Sequence, residues 1–266
     1  MAVVPNAAAQ SSNGQSLSPN LSAARFIAGL FWSSSTGLHR RCAATVVSNS
    51  VLLTSASCAL NKYPIAAYGP GSWVVIAGSD SRYLSSPASN SVQTFAVRNI
   101  DIDQCGNLGV ITLAAPMILG DTIKAIALSS AAVPMAASLN TYSTINPYGS
   151  PFLVLTQGNA DECELMLPGY AQDNFMCTQP VQGQIVTGDY LGGDPIIGYG
   201  AQNGVPVAVL VGITGQFYST LASAQNGSTN DPTAYRFSAL VRSHINQIAS
   251  MAGVGPSAIS NSSPLS

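Results

Sequence analysis

From Phe26 onward, apolar and β-branched residues come in short runs separated by turn formers such as YGPG at 68–71. Runs of this length and composition predict β-strands. In the first half the candidates are 25–32, 42–48, 51–55, 73–78, 92–100 and 109–114. In the second half they are 152–157, 175–178, 194–198 and 205–214. Many short strands joined by turns predict an all-β sandwich or barrel. One segment has a different period. Phe237, Leu240, Val241, His244, Ile245 and Ile248 recur at three- and four-residue steps, which gives one apolar helical face. Pro232 precedes that segment and Gly253 follows it. Residues 1–23 read as a polar arm of Ala, Ser, Asn and Gln, and 251–266 as a flexible Ser/Pro/Asn-rich tail.

Composition sharpens this picture. The 266 residues are 47 % hydrophobic, enough to bury a sizeable core. Only 8 % are charged, against roughly 25 % in an average soluble protein. The net charge is -2, from 9 basic and 11 acidic side chains. That excludes nucleic-acid binding driven by phosphate neutralisation. It also argues against disorder, which goes with low hydrophobicity and high net charge. The longest apolar run, VPVAVLVGI at 205–213, is strand-sized, far short of the roughly 18 residues of a membrane-spanning helix. The first 20 residues carry neither a basic n-region nor an apolar h-region, so a secretion signal is absent from them or already removed. A surface with so few charges has little self-repulsion. It suits a glycosylated secreted protein or a subunit of an assembly. Three Asn-x-Ser/Thr sequons, at Asn20, Asn226 and Asn261, fall in expected loops or tails.

The five cysteines form two close pairs, Cys42 with Cys58 and Cys163 with Cys177, plus Cys105. No pair has Cys-x-x-Cys spacing, and His39 and His244 are the only histidines. A His/Cys metal site is therefore not expected, and no cofactor is expected either. Two local disulfides and one leftover thiol fit a secreted framework. Cys105 is read in two ways, as a thiol bonding to a partner chain or as a buried free thiol.

Residues 42–58 (CAATVVSNSVLLTSASC) resemble the opening cysteine loop of the trypsin/chymotrypsin family, in which a strand pair ends in a Thr-Ala-Ala-His-Cys-like segment. The resemblance continues in order along the chain. WVVIAG at 73–78 looks like the following strand, and NLGVITLAAP at 107–116 like the family's Asp-Ile-Ala-Leu-Leu segment. DTIKAIAL at 121–128 looks like the strand closing the first barrel. The Cys163–Cys177 loop resembles the family's second disulfide loop. GDYLGGDP at 188–195 looks like a disturbed Gly-Asp-Ser-Gly-Gly-Pro. VLVGI at 209–213 and residues 235–248 look like the last strand pair and the C-terminal helix. The likeness runs over residues 24–250. It implies two packed six-stranded antiparallel barrels, 24–130 and 131–250, with a cleft between them and a terminal helix.

The resemblance also implies where catalytic groups would stand. Acyl transfer in this family needs a serine, a histidine that takes its proton and a buried aspartate that orients the histidine. The histidine position is Ser57, whose hydroxyl is no base near neutral pH. The aspartate position is Asn107, a neutral amide. The nucleophile position is Tyr190 when anchored on Gly188 and Asp189, or Gly192 when anchored on Gly193 and Pro195. Neither is a serine. His39 is read as a satisfied histidine at a barrel edge and His244 as a packing residue. Asp101 and Asp103 are read as solvated loop carboxylates. The Ile-Val-Gly-Gly-like start that activates the family is missing, since the nearest stretch is VVPN at 3–6. No cysteine lies at 184–188 to form the family's disulfide beside the specificity pocket.

The expected protein is therefore a secreted serine protease homologue without catalysis that works by binding another protein. The alternative is a structural subunit of an extracellular or cell-wall assembly built on a protease fold. A residual enzyme would need a nucleophile and a base together in the cleft, and no such pair can be named from the sequence.

Overall fold

A computed structural model describes residues 25–60, 73–78, 92–103, 107–129, 139–142, 152–169, 175–180, 192–202, 205–218 and 235–252. The first half holds β1 (Ile27–Ser34), β2 (Gly37–Val46), β3 (Val51–Ser55), the short helix α1 (Ala56–Leu60), β4 (Trp73–Ala77), β5 (Gln93–Ile102) and β6 (Leu108–Leu113). β7 (Ala127–Leu128), β8 (Leu139–Tyr142), β9 (Phe152–Gln157), helix α2 (Ala160–Met166) and β10 (Phe175–Pro180) follow. The chain then forms β11 (Pro195–Gln202), β12 (Val205–Tyr218) and β13 (Tyr235–Leu240). A 3₁₀ turn (Val241–His244) leads into helix α3 (Ile245–Ala252).

The first six strands close into an antiparallel barrel in the order β1-β2-β3-β6-β5-β4. The second sheet runs β11-β8-β9-β10-β13-β12-β7, and pairing of β11 with β12 closes six of its strands into a ring. The architecture is the mostly β, chymotrypsin-like one with a C-terminal helix. Alternation explains why strands such as β3, with all five residues buried, have no solvent face. Leu52 points into the first barrel beside Leu30, Val75 and Ile111. Val51 and Leu53 point the other way, into a cluster shared with Ile197, Leu210, Ile213, Val241 and Ile248. This shared cluster cements the barrels and the terminal helix together. Burying one such side chain contributes roughly 1.5–3 kcal/mol.

Two expectations need correction. Residues 121–128 do not close the first barrel. Lys124 and Ile126 donate to the carbonyls of Arg25 and Val46, but Ala127–Leu128 forms β7 and pairs in parallel with Val209 and Leu210 of β12. The barrel is instead closed by β1 pairing with β4. The apolar face read from Phe237 to Ile248 is also not one helix. Residues 235–240 form β13, and regular α-helix starts only at Ile245. Phe237, Ser238 and Ala239 are all buried, so the strand lacks the alternation that separates the two periods.

Both expected disulfides are present. Cys42–Cys58 ties β2 to α1, and Cys163–Cys177 ties α2 to β10. Asn159 caps α2 by accepting the backbone N–H groups of Asp161 and Glu162.

Candidate functional site

The site is assembled where the end of β3, helix α1 and the 192–195 segment meet. Thr54 starts it. Its hydroxyl donates to the carbonyl of Ala43 at 2.8 Å, locking β3 against β2 in the barrel wall. Ala43 in turn donates its N–H to the carbonyl of Gly192 at 3.2 Å. The next residue, Gly193, donates to the carbonyl of Thr214 at 2.8 Å, and Thr214 donates back to the carbonyl of Asp194 at 2.9 Å. Gly192, Gly193 and Asp194 are thus suspended between the two halves of the molecule by backbone bonds.

Gly192 and Gly193 have φ of +83° and +81°, a left-handed backbone that L side chains rarely adopt. A Cβ on Gly193 would lie 2.2 Å from the Ala43 carbonyl oxygen and 2.6 Å from Thr54 Oγ1. A Cβ on Gly192 would lie 3.0 Å from Ser55 Oγ and 3.4 Å from Cys58 Sγ. A side chain at 192 would therefore press on the Ser55 hydroxyl and touch the sulfur of Cys58.

Ser57 is exposed and its hydroxyl lies 2.6 Å from that of Ser55. Ser55 Oγ also accepts the Cys58 N–H at 3.3 Å and lies 3.1 Å from Cys58 Sγ. The structure therefore brings both Ser57 and Gly192 beside the Ser55 hydroxyl. Sequence reasoning passed over Ser55. Its only signal was its place two residues before the position where the family carries histidine.

Asn107 joins the same neighbourhood through its backbone, whose carbonyl accepts the Ala56 N–H at 3.1 Å. Its own N–H goes to Asp103 Oδ1 at 2.5 Å, and that oxygen also accepts the Leu108 N–H at 2.6 Å. Asp103 is thus not the solvated loop carboxylate that its sequence context suggests. It is 4 % exposed, and its second oxygen lies 3.2 Å from Nδ1 of His244. Asp101 is also no loop residue. It ends up half-buried in β5, where the Asn99 amide donates to both its carboxylate oxygens.

The two histidines stand apart. His244 is 2 % exposed and is held against Asp103. His39 is exposed on β2, with Nε2 at 2.9 Å from both Ser34 Oγ and Thr36 Oγ1 and its ring beside Trp32. The Arg41 guanidinium lies over the Trp32 ring, 5.3 Å from its centroid. Cys105, Tyr190, Asn20, Asn226 and Asn261 lie outside the described residues, as do the polar arm and the tail. Among the described residues, no three His, Cys, Asp or Glu side chains gather as a metal site. No helix among them is long and apolar enough to cross a membrane.

Comparison with known proteins gives one family. The trypsin family model matches residues 13–218. No curated protein matches the chain significantly.

Proposed function

The chain belongs to the trypsin family, and from that membership we propose that it is a secreted, non-catalytic member that acts by binding another protein. The observation that carries the reading is at Gly192. Its carbonyl bond to Ala43 and its closeness to Ser55 and Cys58 favour it, over Tyr190, as the residue standing at the nucleophile position. Glycine has no nucleophile. Ser57 offers a hydroxyl where proton transfer needs a base. The two imidazoles are engaged elsewhere, His39 with Ser34 and Thr36 and His244 with buried Asp103, and among the described residues neither is hydrogen-bonded to Ser57.

The two disulfides support an oxidising compartment. A rigid double barrel without chemistry keeps its loops available for binding. The low charge keeps self-assembly into an extracellular structure as the second reading. An active-site fluorophosphonate probe is expected to leave the protein unlabelled, and stoichiometric labelling at any serine overturns the proposal. Cross-linking of native-source protein, read by mass spectrometry, separates the two readings. Recovery of a foreign protein in fixed ratio supports binding. Recovery of the chain with itself or with wall components supports assembly.

A further inference from the structure

Three hydroxyls meet on one buried face of the second sheet. Ser238 on β13 is the register partner of Thr214 on β12 and of Met176 on β10. Thr178 lies two residues beyond Met176 on the same strand and so on the same face. Met176 packs with Leu155, Ile196, Val209 and Val211, so this face points into the closed ring of strands. Thr178 and Ser238 are 0 % exposed and Thr214 is 2 % exposed. None of the three hydroxyls has a hydrogen-bond partner among the described residues.

A buried hydroxyl without a partner forfeits its hydration, and such groups are rare in native interiors. Three on adjacent strands and one face are not three separate accidents. Directly opposed residues have Cβ atoms about 4.5–5.5 Å apart, and diagonal ones about 7–8 Å. A water bonded at about 2.8 Å to each of two oxygens bridges the opposed pair. The diagonal hydroxyl of Thr178 needs a second one. Leu155, Met176, Ile196, Val209 and Val211 form the apolar cluster on this face, and the register partners of Thr178 are Arg236 and Gln157. Three buried neutral hydroxyls suit a small neutral molecule that both donates and accepts hydrogen bonds.

We propose that this face is an internal hydration site, in which two ordered waters bridge Thr214, Ser238 and Thr178 and join β12, β13 and β10. The site reaches the candidate functional segment. Thr214 is the residue whose backbone holds both Gly193 and Asp194. The bound water fixes Thr214, and Thr214 fixes the 192–195 segment.

The variants Thr214→Val, Ser238→Ala and Thr178→Val test this, with Thr45→Val as control. Thr45 is also buried with an unpartnered hydroxyl, but its register partners are Ile27 and Leu53. An isolated hydroxyl gains from becoming a methyl, whereas a water-bridged one loses its bonds. Urea unfolding is expected to show the folded-to-unfolded ratio falling roughly fivefold for each of the three and unchanged or raised for Thr45→Val. Three variants that behave like Thr45→Val overturn the site. A crystal structure of the unmodified protein gives the deciding readout, independent of whether any variant folds. Ordered density within hydrogen-bond reach of both Thr214 Oγ1 and Ser238 Oγ is expected. A dry face, in a map that shows other interior waters, overturns the proposal.

Discussion

His244 Nδ1 and Asp103 Oδ2 lie 3.2 Å apart, with both side chains almost wholly out of solvent. The pair connects the start of α3 to the turn that carries the candidate site. Asp103 holds the N–H groups of Asn107 and Leu108, and Asn107 holds that of Ala56, next to Ser57. When the carboxylate is ionised, the bond requires the His244 proton on Nδ1. His244 Nε2 is buried with no hydrogen-bond partner among the described residues, so its ring serves the pair alone.

A buried donor left without its acceptor costs about 1–3 kcal/mol, and His244 is one such partner of Asp103. Asp103→Ala is expected to destabilise on that scale, because two backbone donors lose their acceptor as well. Asp101→Ala, which loses only bonds to Asn99 on the same strand, is expected to stay within about 0.5 kcal/mol. Urea unfolding of both measures the contrast, and similar losses for the two would refute the account.

The glycines of the candidate site predict a graded series. Gly193→Ala combines a left-handed φ with a Cβ driven into the Ala43 carbonyl oxygen and Thr54 Oγ1. Strain and overpacking each cost about 1–3 kcal/mol, so the variant is expected to lose several. Gly169→Ala, at φ +78° with nothing near its Cβ, carries only the conformational term of about 1–2 kcal/mol. Thermal unfolding should rank them in that order. An equal shift would mean that the contact at Ala43 relaxes freely.

On the proposed reading, placing the family's triad side chains at 57, 107 and 192 is not expected to produce catalysis. The variant carrying Ser57→His, Asn107→Asp and Gly192→Ser is expected to remain unlabelled by a fluorophosphonate. A serine at 192 would start from φ +83°, with its Cβ 3.0 Å from Ser55 Oγ. Donors of an oxyanion hole must also be placed accurately, and the backbone here is not arranged by side-chain chemistry alone. Covalent labelling of residue 192 would show that the scaffold is still competent.

Cysteine chemistry gives a count. Four of the five cysteines are in the two disulfides. Alkylation after denaturation without reduction is expected to add one tag per chain, at Cys105, and alkylation after reduction five. No tag before reduction, together with a dimer on a non-reducing gel, would assign Cys105 to an interchain bond. Each disulfide closes a loop of 16 or 14 residues. Loss of either is therefore expected to cost about 3 kcal/mol, read as a lower Tm for Cys42→Ala/Cys58→Ala and for Cys163→Ala/Cys177→Ala.

Much of the fold was legible because local rules and tertiary demand agree in it. The strands at 51–55, 73–77 and 108–113 lie where short apolar runs stand between turns. The short strand Leu139–Tyr142 has no counterpart in the sequence reading, since four residues carry too little pattern, whereas Ala127–Leu128 falls inside the strand expected over 121–128 but pairs with the second sheet. Helix α2 was missed too. It is seven residues long, with Cys163 its buried residue, and Asn159 was its only signal. The helical period read from Phe237 to Ile248 extends too far toward the N-terminus, because burial of Phe237, Ser238 and Ala239 hides the strand period of β13.

The sequence alone determined the order of the family-like segments, the pairing of four cysteines by closeness, and the side-chain types at 57 and 107. These are local properties, fixed by which residue follows which. Only the tertiary structure decided that Asp103 leaves solvent to meet His244, that Ser57 and Gly192 both lie beside the Ser55 hydroxyl, and that Thr178, Thr214 and Ser238 share one buried face. Each of these joins residues brought together by the chain's turns or by strands distant in sequence. Their hydrogen bonds and burial arise when the barrels close, because closure removes water and leaves polar groups to find partners inside.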